Sequence, residues 1–75
     1  MELTQAFDNF MEAYNSDEYI QSQGYVITSF FRGTTKAHVF FNYPMCCVLK
    51  DLVQINFYGF NIQYLERPFG VILEK

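Results

Sequence analysis

The sequence predicts a single α+β domain in which helix, β-hairpin, helix and β-hairpin follow one another. Two stretches with helical apolar spacing alternate with two pairs of short aromatic or β-branched runs, and each pair is joined by a glycine- or proline-containing turn. A chain of 75 residues has room for one domain, residues 1–75. We therefore expect a four-stranded, mostly antiparallel sheet with the helices on one face.

The first predicted helix covers residues 3–14. Its apolar side chains recur with a helical period and form one stripe: Leu3, Ala6, Phe7, Phe10, Met11 and Tyr14. The period breaks at Asn15, and Ser16 suits an N-cap. The next residues form either a second short helix at 17–23, ended by Gly24, or a bent continuation of the first helix.

The first hairpin consists of strands at 25–31 and 36–43, joined by a turn at Gly33. In the second strand, apolar side chains alternate with mainly polar ones, as expected for a strand with one solvent-exposed face. Its core face should carry Ala37, Val39, Phe41 and Tyr43, and its opposite face Lys36, His38, Phe40 and Asn42.

The second predicted helix covers residues 44–58. Pro44 ends the preceding strand and is favoured at the first helical position, while Gly59 marks the end of the helix. We expect Met45 to join the core.

The second hairpin begins with a strand at 60–66. The turn at 67–70 has Pro68 at its second position and Gly70 at its fourth. A short closing strand at 71–73 follows, and its shortness favours a position at an edge of the sheet, where it could recruit another chain.

The cysteine content and the lack of targeting signals limit the cellular compartments in which the protein is expected. The two cysteines, Cys46 and Cys47, are adjacent and do not form an ordinary structural disulfide. No apolar run approaches the roughly 20 residues that span a bilayer, and no signal peptide is recognised. We expect a cytoplasmic protein without membrane contact, with both cysteines as small buried residues.

No catalytic, cofactor or metal signature is found. His38 is the single histidine, and together with the two cysteines it does not make up the set of ligands that a zinc ion needs. Asp17 and Glu18 are neighbours whose side chains diverge on a helix, unlike a glycosidase pair. Phosphate loops, nucleophile elbows and metalloprotease motifs are lacking. We therefore predict neither an enzyme nor a cofactor.

Charge is distributed unevenly along the chain, whose net charge is −3. The charged side chains of the first 31 residues are all acidic: Glu2, Asp8, Glu12, Asp17 and Glu18. The five basic residues are spread over the remainder, so direct nucleic-acid binding is not expected. An acidic surface suits a basic protein partner; the alternative is a solvated helix face.

Aromatic side chains make up 20% of the chain, more than one small core readily holds. Phe30 and Phe40 fall on the strand faces that carry polar neighbours, and Phe69 lies at a turn. We predict that these three rings contact a partner protein or a second copy of the chain. In the alternative they pack into a two-sided core with Tyr25, Ile27 and Phe31.

The helix "PMCCVLKDLVQINFYGF" leading into "NIQYLERPFGVILEK", in a short, acidic chain rich in Phe, Tyr and Asn, is similar to the ending of small accessory proteins of large tailed bacteriophages. The resemblance covers about 30 residues and contains no functional motif. It implies a protein that binds and inhibits or redirects a host protein, sequesters a small signalling molecule, or assists assembly.

The leading functional prediction is a non-catalytic protein that inhibits or modulates a protein partner through an acidic and aromatic surface. Its partner-binding residues are Asp8, Glu12, Asp17, Glu18, Phe30, Phe40 and Phe69. The alternative is a homo-oligomer that binds or sequesters a small, nucleotide-type ligand, with Arg32, Lys36 and Arg67 at the anionic group. A third hypothesis is a structural or assembly protein.

Overall fold

The computed structural model describes residues 1–75 and contains the predicted elements in the predicted order. The helices are α1 (Leu3–Ser16), α2 (Glu18–Ser22) and α3 (Cys47–Asn56), and the strands are β1 (Ile27–Arg32), β2 (Lys36–Phe41), β3 (Asn61–Glu66) and β4 (Phe69–Glu74). The α+β class is confirmed, as is the packing of helices against a four-stranded antiparallel sheet.

The strand order in the sheet is β1-β2-β4-β3, and all neighbours are antiparallel. The edge position expected for the closing strand is therefore wrong, because β4 pairs with both β2 and β3. Val71 lies opposite Val39 on one side and Tyr64 on the other. Val71 and Leu73 are fully buried, which accounts for the apolar run of this strand. The edges of the sheet are β1 and β3.

One hydrophobic core lies between the helices and the sheet. Aromatic rings fill much of it: Phe10 and Phe57 are fully buried, with ring centroids 5.5 Å apart. Neither edge strand contributes a buried residue. The 15 buried hydrophobic residues are Leu3, Ala6, Phe7, Phe10, Tyr14, Ile20, Tyr25, Ala37, Val39, Phe41, Leu49, Val53, Phe57, Val71 and Leu73.

The chain turns sharply between α1 and α2, so the bent continuation of α1 is excluded. Asp17, rather than Ser16, is the N-cap of α2, and its Oδ1 accepts a hydrogen bond from the Ile20 amide at 2.9 Å. Gly24 follows α2 with a φ of +80°, the left-handed conformation that glycine adopts readily after a helix.

Two side chains fasten the β2–α3 corner to the segment before β1. The Tyr25 hydroxyl accepts a hydrogen bond from the Cys46 amide at 2.8 Å and donates one to the Pro44 carbonyl at 2.6 Å. Asn42 Oδ1 accepts a hydrogen bond from the Val26 amide at 2.8 Å. These bonds satisfy backbone groups at the corner and fix where β1 begins.

Helix α3 begins three residues later than predicted, at Cys47 rather than at Pro44. The Tyr25 hydroxyl holds the backbone of residues 44–46 outside the helix. Strand β2 ends at Phe41, so Tyr43 lies beyond the strand and is 53% exposed, and Met45 lies before α3 and is only half-buried, whereas both were expected in the core.

The turn of the second hairpin is shorter than predicted. Arg67 and Pro68 form it, and β4 begins directly after them. Gly70 therefore lies inside β4 instead of closing the turn. A Cβ atom at this position would collide with the Val39 carbonyl oxygen and the Phe40 ring, so glycine permits the close approach of β2.

Replacing Tyr25 by phenylalanine should lower the free energy of unfolding by about 1–2 kcal/mol, since two partly buried backbone groups lose their partner. Urea denaturation measures the loss. Tyr58→Phe is the matched control, because Tyr58 is 90% exposed and its hydroxyl makes no hydrogen bond within the chain. Equal denaturation midpoints for the two variants would contradict the proposed role of the Tyr25 hydroxyl.

Alkaline pH should also destabilise the fold through Tyr25. Burial raises the pKa of Tyr25 above its ordinary value of 10.0. The folded state therefore keeps this proton at a pH where the unfolded state loses it, and the free energy of unfolding falls as pH rises above about 10. Urea denaturation at about pH 8 and about pH 10.5 should show a smaller fall for Tyr25→Phe than for the wild type. Identical falls would show that Tyr25 does not contribute.

Candidate functional site

Strand β1 contains one residue more than β2 can pair with. Ile27 lies opposite Phe41 and Ser29 lies opposite Phe40, so Thr28 is the extra residue of a β-bulge. Because side chains alternate along a strand, the extra residue reverses the facing of every residue after it.

The bulge exchanges the faces of the two adjacent phenylalanines. Phe30 lies opposite Val39 and faces the helices, whereas Phe31 lies opposite His38 and faces the uncovered side of the sheet. The expectation that Phe30 lies on the polar face is therefore wrong, as is the alternative that places Phe31 in the core. Alternation counted from Ile27 without the bulge leads to both errors.

Phe30 forms one wall of a shallow groove between α1 and β1, which we call the edge groove. Its side chain is 59% exposed, and its ring packs against Phe7 with centroids 6.0 Å apart. Met11 of α1 and residues 27–29 of β1 complete the groove, whose volume is about 500 Å³. An exposed ring that is held against the core is a rigid contact of the kind that dominates protein interfaces.

Asp8 and Arg32 form a bidentate ion pair on the same side of β1. Arg32 Nε and Nη2 donate hydrogen bonds to the two carboxylate oxygens at 2.8 and 2.7 Å. These hydrogen bonds hold the pKa of Asp8 below its usual 3.8 and raise the pKa of Arg32. The charge of Asp8 is thus compensated, and the guanidinium of Arg32 is already occupied.

Glu12 supplies the uncompensated charge beside the edge groove. It lies one helical turn after Asp8, next to Met11 in sequence, and it is exposed. Glu12 forms no ion pair in the structure. Of the two acidic side chains within α1, only Glu12 therefore carries a free negative charge.

The other acidic candidates do not join this site. Asp17 caps α2, and Glu18 occupies the first turn of that helix, beyond the C-terminal end of α1. Glu2 is the N-cap residue of α1 and lines a small polar pocket with Lys75. The structure thus places Asp8, Glu12 and Phe30 on one side of the molecule and leaves Asp17 and Glu18 apart.

The uncovered face of the sheet carries a separate aromatic cluster. The rings of His38 and Phe40 stack with centroids 4.6 Å apart, and Phe31 lies 6.0 Å from His38. Phe40 occupies the predicted face but is half-buried, because its ring lies beside Gly70. Sequence reasoning missed Phe31 at this cluster, since its facing depends on the bulge.

Phe69 belongs to neither aromatic surface. It is half-buried in a cleft of about 150 Å³ between the start of α3 and the second hairpin. Met45 and Tyr64 line the same cleft. Phe69 is therefore separated from Phe30 and Phe40.

The three basic residues of the alternative ligand site are not brought together in one chain. Lys36 lies opposite Glu74 at one end of the sheet, and Arg67 lies in the turn at the other end. Arg32 is paired with Asp8. An anionic ligand would not meet all three within one copy of the chain.

The two thiols are free, with Cys46 half-buried and Cys47 exposed. The prediction of two buried cysteines is wrong for Cys47, because the helical period that buries Leu49 and Val53 turns this residue away from the core. No group of three or more His, Cys, Asp or Glu side chains is close enough to hold a metal ion.

No protein-family model, curated protein or solved structure matches the chain. None of the helices combines the length and the apolar character that crossing a bilayer requires. The fold and the site define a small α+β protein with an exposed aromatic groove at one edge of its sheet. Its function is inferred from that geometry.

Replacing Arg32 by glutamine should raise the pKa of Asp8 toward its ordinary value of 3.8, since the hydrogen bonds that favour the ionised carboxylate are lost. An NMR pH titration of the aspartate carboxyl carbons measures the shift. Lys36→Gln removes the same charge from β2 and should leave the pKa of Asp8 in place. An unchanged pKa in Arg32→Gln would contradict the ion pair.

Proposed function

We propose that this protein is a non-catalytic binding protein that inhibits or modulates a partner protein by covering part of its surface. The edge groove carries the proposal: it combines an exposed ring fixed to the core with a largely apolar lining, and the unpaired carboxylate of Glu12 follows its lining residue Met11 on α1. Interfaces use such aromatic groups as buried anchors and charged groups at their rims to guide association.

The charge distribution supports a basic partner surface. Helices α1 and α2 carry acidic side chains and no basic one, and the net charge of the chain is −3. Opposite charge on the partner would raise the rate of association, and salt would weaken this effect. The steering charge beside the groove is Glu12, because Asp8 is compensated by Arg32.

The resemblance to accessory proteins of tailed bacteriophages favours a host protein as the partner and the host cytoplasm as the location. The homo-oligomeric ligand binder receives less support, because no single copy brings its three basic residues together and the guanidinium of Arg32 is already occupied by Asp8.

Phe30→Ser should reduce capture of the partner protein at least about tenfold, since truncation of a central interface ring costs more than about 1.4 kcal/mol. The measurement is affinity capture from the source cells at low salt, with quantitative mass spectrometry of the captured proteins. Tyr58→Ser is the matched control: it removes another aromatic ring, one that is 90% exposed and does not line the groove.

A second pair of variants tests the charge. Glu12→Lys should weaken capture at low salt, whereas Asp51→Lys makes the same change on the exposed face of α3 and should not. The proposal would be overturned if the same set of proteins were captured by Phe30→Ser, by Glu12→Lys and by both controls.

A further inference from the structure

We propose that the partner is bound by strand addition, with an extended segment of the partner chain pairing with β1 as a fifth strand. The segment that fits is one in which apolar and basic side chains alternate. This inference rests on the proposed function and adds the mode of binding and the chemistry of the partner.

The two edges of the sheet differ in how they are protected. Edge strands commonly carry charges that prevent pairing with another chain. The β3 edge ends in Glu66 and is followed directly by Arg67. Residues 27–31 of β1 and residues 61–65 of β3 carry no charge, so each edge strand has one charged residue, at its C-terminal end. The one charged residue of β1 is Arg32, and its guanidinium is drawn toward α1 by Asp8. The bulge at Thr28 disturbs the start of this edge, so the part of β1 that is open to pairing is residues 29–32.

The bulge leaves residues 29–32 in regular register with β2. An added strand would lie about 4.8 Å from β1 and send alternate side chains to the two faces of the sheet. On the helix side it would meet Phe30, which is 59% exposed, and on the other side Phe31, which is 53% exposed. The two faces would thus take different side chains of the segment: basic ones, with their alkyl stems against Phe30, on the helix side and apolar ones against Phe31 on the other side, in addition to main-chain hydrogen bonds.

Charge selects a basic segment over a second copy of this chain. Asp8 contacts Arg32 and Phe7 contacts Phe30, so α1 flanks the β1 edge. Antiparallel pairing of β1 with the β1 of another copy would set two acidic α1 helices side by side, each on a chain of net charge −3. A lysine or arginine of a foreign strand would instead lay its alkyl stem in the groove and place its charge near Glu12.

The probe is a synthetic peptide in which valine and lysine alternate, matched in length to the six residues of β1. The full-length protein is titrated with it while NMR records the affinity and the hydrogen exchange of each backbone amide. We expect slowed exchange at alternate amides of β1 and none at β3, about tenfold weaker binding for Phe30→Ser, and weaker binding at high salt. A valine–glutamate peptide should not bind, and Tyr58→Ser should bind like the wild type.

Three results would overturn strand addition by a basic segment. They are a saturating peptide that leaves the β1 amides unprotected, protection at β3 instead, and protection of β1 that rises with protein concentration before any peptide is added. The last result would identify a second copy of the chain as the occupant.

The peptide experiment also separates this inference from the proposed function. Partner capture that depends on Phe30, together with unprotected β1 amides, would retain the binding function and overturn strand addition. Protected β1 amides without any partner sensitive to Phe30 would retain the strand-accepting edge and overturn the proposed function.

Discussion

The facing of every side chain of β1 after Thr28 depends on this single extra residue. Because of this bulge, Phe30 packs on Phe7, and Arg32 reaches Asp8 on the helix side of the sheet. Without it, Phe31 would face the helices, and the guanidinium of Arg32 would point away from α1. The bulge therefore both forms the edge groove and turns Arg32, the one charged side chain of β1, away from the edge of the strand.

The surrounding structure holds the bulge in place. The Asn42 side chain binds the Val26 amide just before β1, and the Tyr25 hydroxyl fixes the corner that follows β2. Strand β1 itself adds no buried residue to the core. Its position thus depends on hydrogen bonds to β2, on the partly buried Ile27, on the contact between Phe30 and Phe7 and on the Asp8–Arg32 ion pair, none of which covers its outer edge.

Sequence periodicity predicted the class, the order of the elements and most of the core, because α1, β2 and α3 each bury one face. The predictions that failed concern features that are fixed by contacts between residues far apart in the sequence. The central position of β4 depends on pairing with two distant strands, and the late start of α3 depends on the hydroxyl of Tyr25, 19 residues before Pro44. At the site, the acidic helix was predicted, but the Asp8–Arg32 pair and the reversal of Phe30 and Phe31 depend on the bulge, which has no signature in "ITSFFR".

Nuclear Overhauser effects of the Phe30 and Phe31 rings in the labelled protein would show whether the bulge turns Phe30 toward α1 and Phe31 away from it. With the bulge, cross-peaks are expected between the Phe30 and Phe7 rings and between the Phe31 and His38 rings. Cross-peaks from Phe31 to Phe7 and from Phe30 to His38 would show a strand without the bulge, and the edge groove with its aromatic wall would not exist.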